Sequence, residues 1–179
     1  MKGQNFSLTQ FPSADLIDNP KITGKIGRLS NTLFIGYELL DPMAELMIPA
    51  LEKMPCRRNS LWEETCFEFF LSGLNADRYW EFNLSPSGNW NVYCFESYRQ
   101  GMQEEPAFAS LPFSIRIHSD SLQISLELAL ERIIQPEQPL KAGISAVLKS
   151  IDGRTSYWAL THAGTEADFH LRDSFIIDL

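Results

Sequence analysis

The chain has 179 residues, of which 44% are apolar and 21% charged, and 15 basic against 23 acidic side chains give it a net charge of −8. Its size predicts that about 70% of the unfolded surface can be buried, so a single domain over residues 1–179 needs no disulfide or metal. Since no basic run is longer than Arg57-Arg58, the concentrated basic patch that binds phosphate backbones is missing. We therefore expect neither nucleic acid nor an anionic membrane as a partner.

Most segments alternate apolar and polar residues, and Gly, Pro, Asn or Asp separates them about every ten residues, which is typical of short antiparallel strands. The best helical candidate, DPMAELMIPALEKM, is interrupted by Pro49, and proline breaks a helix. The predicted strands span 5–11, 24–29, 32–40, 45–48, 61–72, 79–85, 90–97, 113–118, 121–130, 141–150, 155–162 and 173–178. Without crossover helices, these strands predict an all-β fold of two packed antiparallel sheets, a β-sandwich.

The first residues, the lack of a long apolar window and the cysteine spacing favour a cytoplasmic protein. The first residues lack the continuous apolar stretch of a signal peptide, and no window approaches the roughly 18 apolar residues of a membrane span. The three cysteines have no CxxC spacing, so neither a disulfide framework nor a zinc site is indicated, and reduced thiols are expected.

The middle of the chain has one apolar and one polar face. Alternate residues of a strand point to opposite sides of its sheet, so the strands over 61–72 and 79–85 each separate a hydrophobic side from a side that carries carboxylates. As a three-stranded meander with the strand over 90–97, they would form one polar surface. That surface would carry Trp62, Glu64, Cys66, Glu68, Glu81, Asn83, Ser85 and Trp90.

The hairpin turn decides which residues of the strand over 90–97 join this surface. A two-residue turn at Ser87-Gly88 pairs Ser85 with Trp90 and brings Trp90 to the polar face. A slip of one residue brings Asn91 there instead, because register sets the face. The first register keeps the other aromatic residues of this strand in the core, so we expect it.

The composition of the polar surface suggests a ligand. An ordinary solvated sheet face would mix lysine and threonine with its carboxylates, but no lysine occurs between Lys53 and Lys141. Aromatic rings stack on the C–H side of sugar rings, and carboxylates and amides bind hydroxyl groups. We therefore predict a carbohydrate or another polyhydroxylated small molecule as ligand, with a simply solvated face as the alternative. The predicted ligand-binding residues are Trp62, Glu64, Glu68, Glu81, Asn83, Trp90, Arg99 and Trp158.

Two carboxylates on one surface have two further interpretations. Glu68 and Glu81 could be held in a salt-bridge network by Arg99 or Arg57, which we favour as a structural use. They could also be the acid and the base or nucleophile of a glycoside hydrolase. A non-catalytic role is favoured and catalysis stays open. A surface that binds a protein partner is a further possibility.

The C-terminal segment THAGTEADFHL contains His162, Asp168 and His170, which could ligate a metal. Their spacing matches no regular metal signature, so imidazoles that hydrogen-bond the backbone are favoured. No cofactor is predicted, with haem or a divalent metal as the alternative.

Four stretches make the chain similar to the DOMON-like superfamily, which includes family 9 carbohydrate-binding modules and haem- or sugar-binding DOMON domains. They are 61–70 (LWEETCFEFF), 81–90 (EFNLSPSGNW), 95–101 (FESYRQG) and 160–175 (LTHAGTEADFHLRDSF). The resemblance implies a single jelly-roll-like sandwich with a non-catalytic ligand-binding role, most plausibly for carbohydrate. Family 9 modules clamp a sugar between two tryptophans, for which Trp62, Trp90 and Trp158 are candidates, while haem-binding relatives use a Met and a His as axial ligands.

Overall fold

A computed structural model describes residues 3–13, 16–17 and 19–179, and these residues form thirteen strands and two short 3₁₀ helices. The 3₁₀ helices span Leu61–Glu63 and Arg172–Ser174. No helix in this part of the chain has the length and apolar character that a membrane crossing needs. The strands are β1 (Gln4–Ser7), β2 (Thr9–Gln10), β3 (Lys21–Leu29), β4 (Thr32–Leu40), β5 (Cys66–Gly73), β6 (Tyr79–Leu84), β7 (Trp90–Phe95), β8 (Gln103–Glu104), β9 (Phe113–Ile117), β10 (Ser121–Ala129), β11 (Leu140–Lys149), β12 (Thr155–Ala159) and β13 (Ile177–Asp178).

The strands form two antiparallel sheets, which confirms the predicted β-sandwich. The first sheet has the order β1-β3-β4-β10-β9, and the second has the order β2-β12-β11-β5-β6-β7-β8, with β13 paired to β11. Alternate residues of each strand face the space between the sheets, as Leu33 and Ile35 of β4 do from the first sheet and Phe69 and Phe82 from the second. The rings of Phe69 and Phe82 stack with their centroids 4.3 Å apart. The two facing sides thus bury one continuous apolar core.

Two predicted strands are shorter or absent. The segment predicted as a strand over 61–72 begins as a 3₁₀ helix, because Ser60 has φ 58° and turns the chain before β5 starts at Cys66. The segment 45–48 makes only an isolated bridge, from Leu46 to Ser150. The Asp41 carboxylate accepts hydrogen bonds from the Glu45 and Leu46 amides at 3.1 and 3.0 Å, which replaces strand pairing at that point.

The ends of the chain also differ from the prediction. The segment predicted over 5–11 is two strands, β1 in the first sheet and β2 in the second. The last predicted strand, 173–178, is reduced to β13 after the second 3₁₀ helix. Strand β8 lies between the predicted strands 90–97 and 113–118, where the sequence predicts no strand.

The predicted register of the β6–β7 hairpin is wrong by one residue. Asn83 pairs with Asn91 and Leu84 with Trp90, so the turn has five residues, 85–89. The Ser85 amide donates to the Asn89 carbonyl at 2.9 Å, and Gly88 has φ 90°, a conformation that suits glycine. Trp90 therefore packs in the core, and Asn91 takes the outer face.

Candidate ligand-binding site

The outer face of the second sheet is covered by loops in its middle. Every residue of β5, β6 and β7 is buried, on both faces of the strands. The segments 57–62, 96–102 and 163–175 lie over the outer face, where a second cluster of aromatic residues forms. Its members are Phe70, Tyr79, Tyr93, Phe95 and Phe175, with Trp62 and Phe169 packed against them. The predicted polar face is therefore part aromatic and sequestered.

A glycine on β11 lets the C-terminal segment pack on the sheet. A Cβ atom at Gly143 would lie 2.7 Å from Cδ1 of Phe175. Any side chain there would displace the Phe175 ring. The small residue thus fixes where the segment 163–175 crosses the outer face.

Polar side chains form one row across four neighbouring strands. Ser145 pairs with Glu68, Glu68 with Asn83, and Asn83 with Asn91. The Ser145 hydroxyl donates to Oε2 of Glu68 at 3.2 Å, and Nδ2 of Asn83 donates to Oε1 of Glu81 at 2.8 Å. The predicted alternation in β5 and β6 is confirmed, since Glu68, Glu81 and Asn83 do share the outer face.

A cavity of about 330 Å³ lies between this row and the covering loops. Its volume is at the small end of the range for ligand pockets, roughly 300–1,000 Å³. The two carboxyl groups of Glu68 and Glu81 border it although both side chains are buried, and aromatic rings form much of its wall. The lining residues are Trp62, Glu68, Glu81, Phe95, Arg99, Met102, Val147, Tyr157, Ala167, Phe169 and His170.

Burial raises the pKa of both carboxyl groups. The pKa of Glu81 rises to about 7 through loss of solvent, although the Asn83 hydrogen bond and the Arg99 charge lower it. The pKa of Glu68 rises well above its usual range, first through burial and then through the Glu81 charge, against the Ser145 hydrogen bond. A carboxyl group that is buried without a cation keeps its proton. At a pH below the pKa of Glu81, both groups can therefore donate as well as accept hydrogen bonds.

A histidine borders the same carboxyl group without forming an ion pair. Nδ1 of His170 is 2.8 Å from the Tyr79 hydroxyl, and its Nε2 is 3.7 Å from Oε2 of Glu81. Burial, assisted by the Arg99 charge, lowers the pKa of His170 to about 4. The imidazole is thus neutral when Glu81 titrates, and it supplies no positive charge to the cavity.

Arg99 does not hold the two carboxyl groups as predicted. Its Nη2 forms an ion pair with Oδ1 of Asp168 at 2.8 Å. Asp168 also accepts from the Tyr98 hydroxyl and the His170 amide. The Arg99 charge is therefore largely neutralised by a carboxylate at the edge of the cavity, and it affects Glu81 only at longer range.

The other predicted cation, Arg57, lies elsewhere. Its guanidinium donates to Oδ1 of Asn91 at 2.9 Å and to the Glu105 carbonyl at 3.0 Å, and it lies 4.5 Å from the centre of the Trp90 ring. It ties the segment 57–62 to the edge of the sheet. The favoured salt-bridge network is thus wrong: within the described residues, no ion pair joins an arginine or lysine to Glu68 or Glu81.

The predicted ligand-binding residues separate into three groups. The cavity is lined by Trp62, Glu68, Glu81 and Arg99, and Asn83 lies beneath it, bonded to Glu81. The side chain of Glu64 is exposed, after the first 3₁₀ helix. The core between the sheets contains both Trp90 and Trp158.

The position of Trp158 follows from the pairing of β12 with β11. Trp158 pairs with Ala146, a core residue, and its Nε1 donates to the Ser156 hydroxyl at 2.9 Å. Its neighbour Tyr157 takes the outer face instead. Of the three tryptophans considered for a sugar clamp, only Trp62 borders the cavity.

The three residues considered for a metal do not form one ligand set. Nε2 of His162 is 2.9 Å from the Thr9 carbonyl, while Asp168 pairs with Arg99 and His170 faces Glu81. The described part of the chain contains no group of three His, Cys, Asp or Glu that could hold a metal ion. The favoured interpretation, imidazoles that hydrogen-bond the backbone, is confirmed for His162 and wrong for His170, whose imidazole contacts the Tyr79 hydroxyl and faces Glu81.

Several lining residues were missed by sequence reasoning. Tyr157 and Val147 come from β12 and β11, while Phe169 and Met102 come from two different loops. Strand alternation could have placed Tyr157 opposite the core once the pairing of β11 with β12 was known. The loop residues carry no periodic signal that shows which face they cover.

Sequence comparison gives no match to this chain, either among protein-family models or among curated proteins. Solved structures do share its fold. A "putative carbohydrate-binding protein" from Bacteroides uniformis ATCC 8492 superposes with a TM-score of 0.70 and 11% identity, over 96% of this chain and 84% of the other.

Two structures of family 9 carbohydrate-binding modules from Caldicellulosiruptor kristjanssonii also superpose. The complex with glucose has a TM-score of 0.51 and 12% identity, over 84% of this chain and 71% of the module. The complex with cellotriose has a TM-score of 0.50 and 11% identity, over 84% and 70%. At these identities the similarity establishes the fold alone, a β-sandwich of two antiparallel sheets that the chain shares with these structures.

Proposed function

We propose that the protein binds a carbohydrate, or another small polyhydroxylated molecule, in the cavity on the outer face of the second sheet. The observation that carries this proposal is the combination of aromatic walls with a floor of two buried carboxyl groups. The chain would act as a binding module and not as an enzyme.

Each part of the cavity has a role in such binding. The rings of Trp62, Tyr157 and Phe169 offer apolar surface to the C–H side of a sugar ring. Glu68 and Glu81 offer hydrogen bonds to hydroxyl groups, and Asn83 holds Glu81 from below at 2.8 Å. Because the carboxyl groups are fixed in a rigid sheet, little side-chain freedom is lost on binding.

The structural similarities support this proposal. The module structures contain glucose and cellotriose, and the Bacteroides uniformis protein is named for carbohydrate binding. The link to the DOMON-like superfamily, the single domain over residues 1–179 and the cytoplasmic location stay predictions. They rest on the sequence stretches and on composition.

The pKa values favour binding over glycoside hydrolysis. Hydrolysis needs one carboxylic acid and one ionised carboxylate across the scissile bond. Here burial raises the pKa of both Glu68 and Glu81, to about 7 for Glu81, and within the described residues no arginine or lysine forms an ion pair with either group. Below about pH 6 both groups are therefore mostly protonated and neither is the base, so any glycosidase activity at that pH should be unchanged by Glu68→Gln.

Haem is a second candidate ligand, because Met102 and His170 border the same cavity. Their side chains would supply the two axial bonds. However, Nδ1 of His170 is bonded to Tyr79 and its Nε2 faces Glu81, so ligation requires one of these contacts to break. Titration with hemin tests this alternative: a Soret band that His170→Ala abolishes would favour haem over carbohydrate.

The proposed function is tested by calorimetric titration with a panel of mono- and disaccharides, together with tryptophan fluorescence. Trp62 is the tryptophan at the cavity wall, whereas Trp80, Trp90 and Trp158 are in the core. A bound sugar should change the emission of the wild type, and Trp62→Phe should remove most of that change. Trp62→Ala should weaken binding about tenfold, since stacking contributes about 1 kcal/mol beyond burial.

A matched control is Phe34→Ala, which removes a half-buried ring from the outer face of the first sheet. This variant should bind sugar as the wild type does. No binding of any sugar by the folded wild type, or equal losses in Trp62→Ala and Phe34→Ala, would contradict the proposed site.

A further inference from the structure

We propose that the ligand of this cavity carries a protonated amine, so that it is an amino sugar or a glycan with free amino groups. This inference rests on the proposed function and names the ligand class of the same site. It is carried by two carboxyl oxygen atoms that accept no hydrogen bond from the described residues, and by the absence of an unpaired cation beside them in the described part of the chain.

Both carboxyl groups keep an oxygen free for a ligand. Glu68 is only 3% exposed and Glu81 only 4%. Among the described residues, Oε2 of Glu68 accepts from Ser145 and its Oε1 has no hydrogen-bond partner. Oε1 of Glu81 accepts from Asn83, and its Oε2 accepts no hydrogen bond from the described residues, with Nε2 of His170 at 3.7 Å. Since both side chains border the cavity, a donor on the ligand can reach these atoms.

The groups that face the pair from the neighbouring elements provide no compensating charge. Tyr79 on β6 and Tyr93 on β7 are neutral phenols, because burial raises the pKa of each to about 12. On β5, burial likewise raises the pKa of the Cys66 thiol well above its usual value. These three side chains therefore contribute no positive charge near Glu68 and Glu81.

The cations on the remaining elements are engaged elsewhere. Lys149 at the end of β11 donates to the Glu63 carbonyl at 3.2 Å. Arg99 is paired with Asp168, and the His170 imidazole is neutral. In the described part of the chain, the cavity thus presents two acidic groups and no unpaired cation. An ammonium group on the ligand would complete this arrangement.

The aromatic walls of the cavity also suit an ammonium group. A cation close to aromatic faces is attracted by the ring quadrupoles, and aromatic cages are a recurrent means of binding ammonium groups. Trp62, Phe95, Tyr157 and Phe169 line the same cavity as the two carboxyl groups. An amino sugar would place its apolar ring surface on these walls and its ammonium group between the two carboxylates.

Binding of a cation must release protons, which provides a signature. In the ligand-free protein, both carboxyl groups hold protons at about pH 6, because the pKa of Glu81 is about 7 and that of Glu68 is also raised. An ammonium group between them stabilises the ionised forms, so the carboxyl O–H protons leave to the buffer. A neutral sugar leaves the carboxyl groups protonated and releases none.

The experiment is isothermal titration calorimetry at about pH 6, where an amine of ordinary pKa, about 8, is protonated. The probes are matched pairs: glucose with glucosamine, galactose with galactosamine, and cellotriose with the fully deacetylated chitosan trimer. We expect the amino member of at least one pair to bind about tenfold more tightly or better, as a charge-assisted hydrogen bond allows. The trimer pair distinguishes a glycan ligand from a free monosaccharide.

Each titration is repeated in two buffers of different ionisation enthalpy, which counts the protons released by the wild-type protein without any substitution. Release on binding the amino sugar and none with its neutral partner supports the inference. In Glu68→Gln the preference should shrink to below about threefold, and in the exposed Glu64→Gln it should be unchanged.

The two proposals fail in different ways. If the neutral member of every pair binds as well as the amino member, or if no proton is released, the amine inference is overturned and the proposed function stands. If no member of any pair binds, the proposed function falls and the inference falls with it.

Discussion

Replacing Glu81 by glutamine removes one titratable group from the cavity floor and keeps its shape, including an oxygen that can accept from Asn83. The pKa of Glu81 is about 7 in the folded chain against 4.5 for an ordinary glutamate. Between these values the folded protein binds more protons than the unfolded chain, so the wild type loses stability as the pH rises. The variant lacks this loss.

The magnitude follows from the two pKa values. Complete titration corresponds to about 3 kcal/mol of unfolding free energy, of which about 2 kcal/mol falls between about pH 5.5 and about pH 8.5. The lower pH stays above the pI of about 4.9, where solubility is poorest. Glu81→Gln should therefore gain about 2 kcal/mol relative to the wild type between these two conditions.

Urea unfolding followed by tryptophan fluorescence measures this difference. The exposed Glu64→Gln is the control, and it should differ from the wild type by less than about 0.5 kcal/mol at both pH values. If Glu81→Gln differs from the wild type by the same amount at both pH values, the carboxyl group is not held protonated by burial. The description of the cavity floor would then be wrong.

Three further substitutions test the fold around the site, each by the same unfolding measurement. Phe82→Ala should cost about 3–5 kcal/mol, because it removes one ring of a stacked pair in the core; a cost below about 1 kcal/mol would contradict that packing. Gly88→Ala should cost about 1–2 kcal/mol, since Gly88 has φ 90° and a Cβ atom would lie 2.7 Å from Cγ of Pro55; unchanged stability would refute the five-residue turn. Trp90→Ala should cost at least about 3 kcal/mol and Trp62→Ala less, because only Trp90 is in the core; the reverse order would restore the register predicted from the sequence.

Strand alternation was sufficient to place the carboxyl pair. A period of two puts Glu68 on one side of β5, and Glu81 with Asn83 on one side of β6, whatever the details of their pairing. The same rule separated Phe69 and Phe82 into the core. These predictions held because they depend only on the direction of successive side chains within one strand.

The predicted register of the β6–β7 hairpin was wrong because local sequence rules do not determine the length of its turn. Whether the β6–β7 turn has two residues or five changes the face of every residue in β7. The longer turn is stabilised by hydrogen bonds within 85–89 and by the partners that Asn91 finds outside the core, among them the Tyr93 hydroxyl at 2.9 Å. Trp90 then packs in the core, and the Arg57 guanidinium lies over its ring in a cation–π contact.

The contacts of the covering loops were the part of the structure that the sequence predicted least. Arg99 and Asp168 are 69 residues apart and meet in an ion pair, and Tyr79 meets His170 across 91 residues. Such contacts depend on where the C-terminal segment crosses the sheet, which Gly143 and Phe175 decide together. No local pattern links these positions, so the cation expected beside the carboxyl pair was assigned to the wrong partner.

A sugar bound between the outer face of the second sheet and its covering loops should be visible in an amide NMR titration of the isotope-labelled protein with the best-binding sugar of the panel. We expect shift changes concentrated in β5, β6, β11 and β12 and in the segments 98–102 and 167–170. Changes confined to the groove on the first sheet, around Phe34 and Ser125, would contradict this expectation.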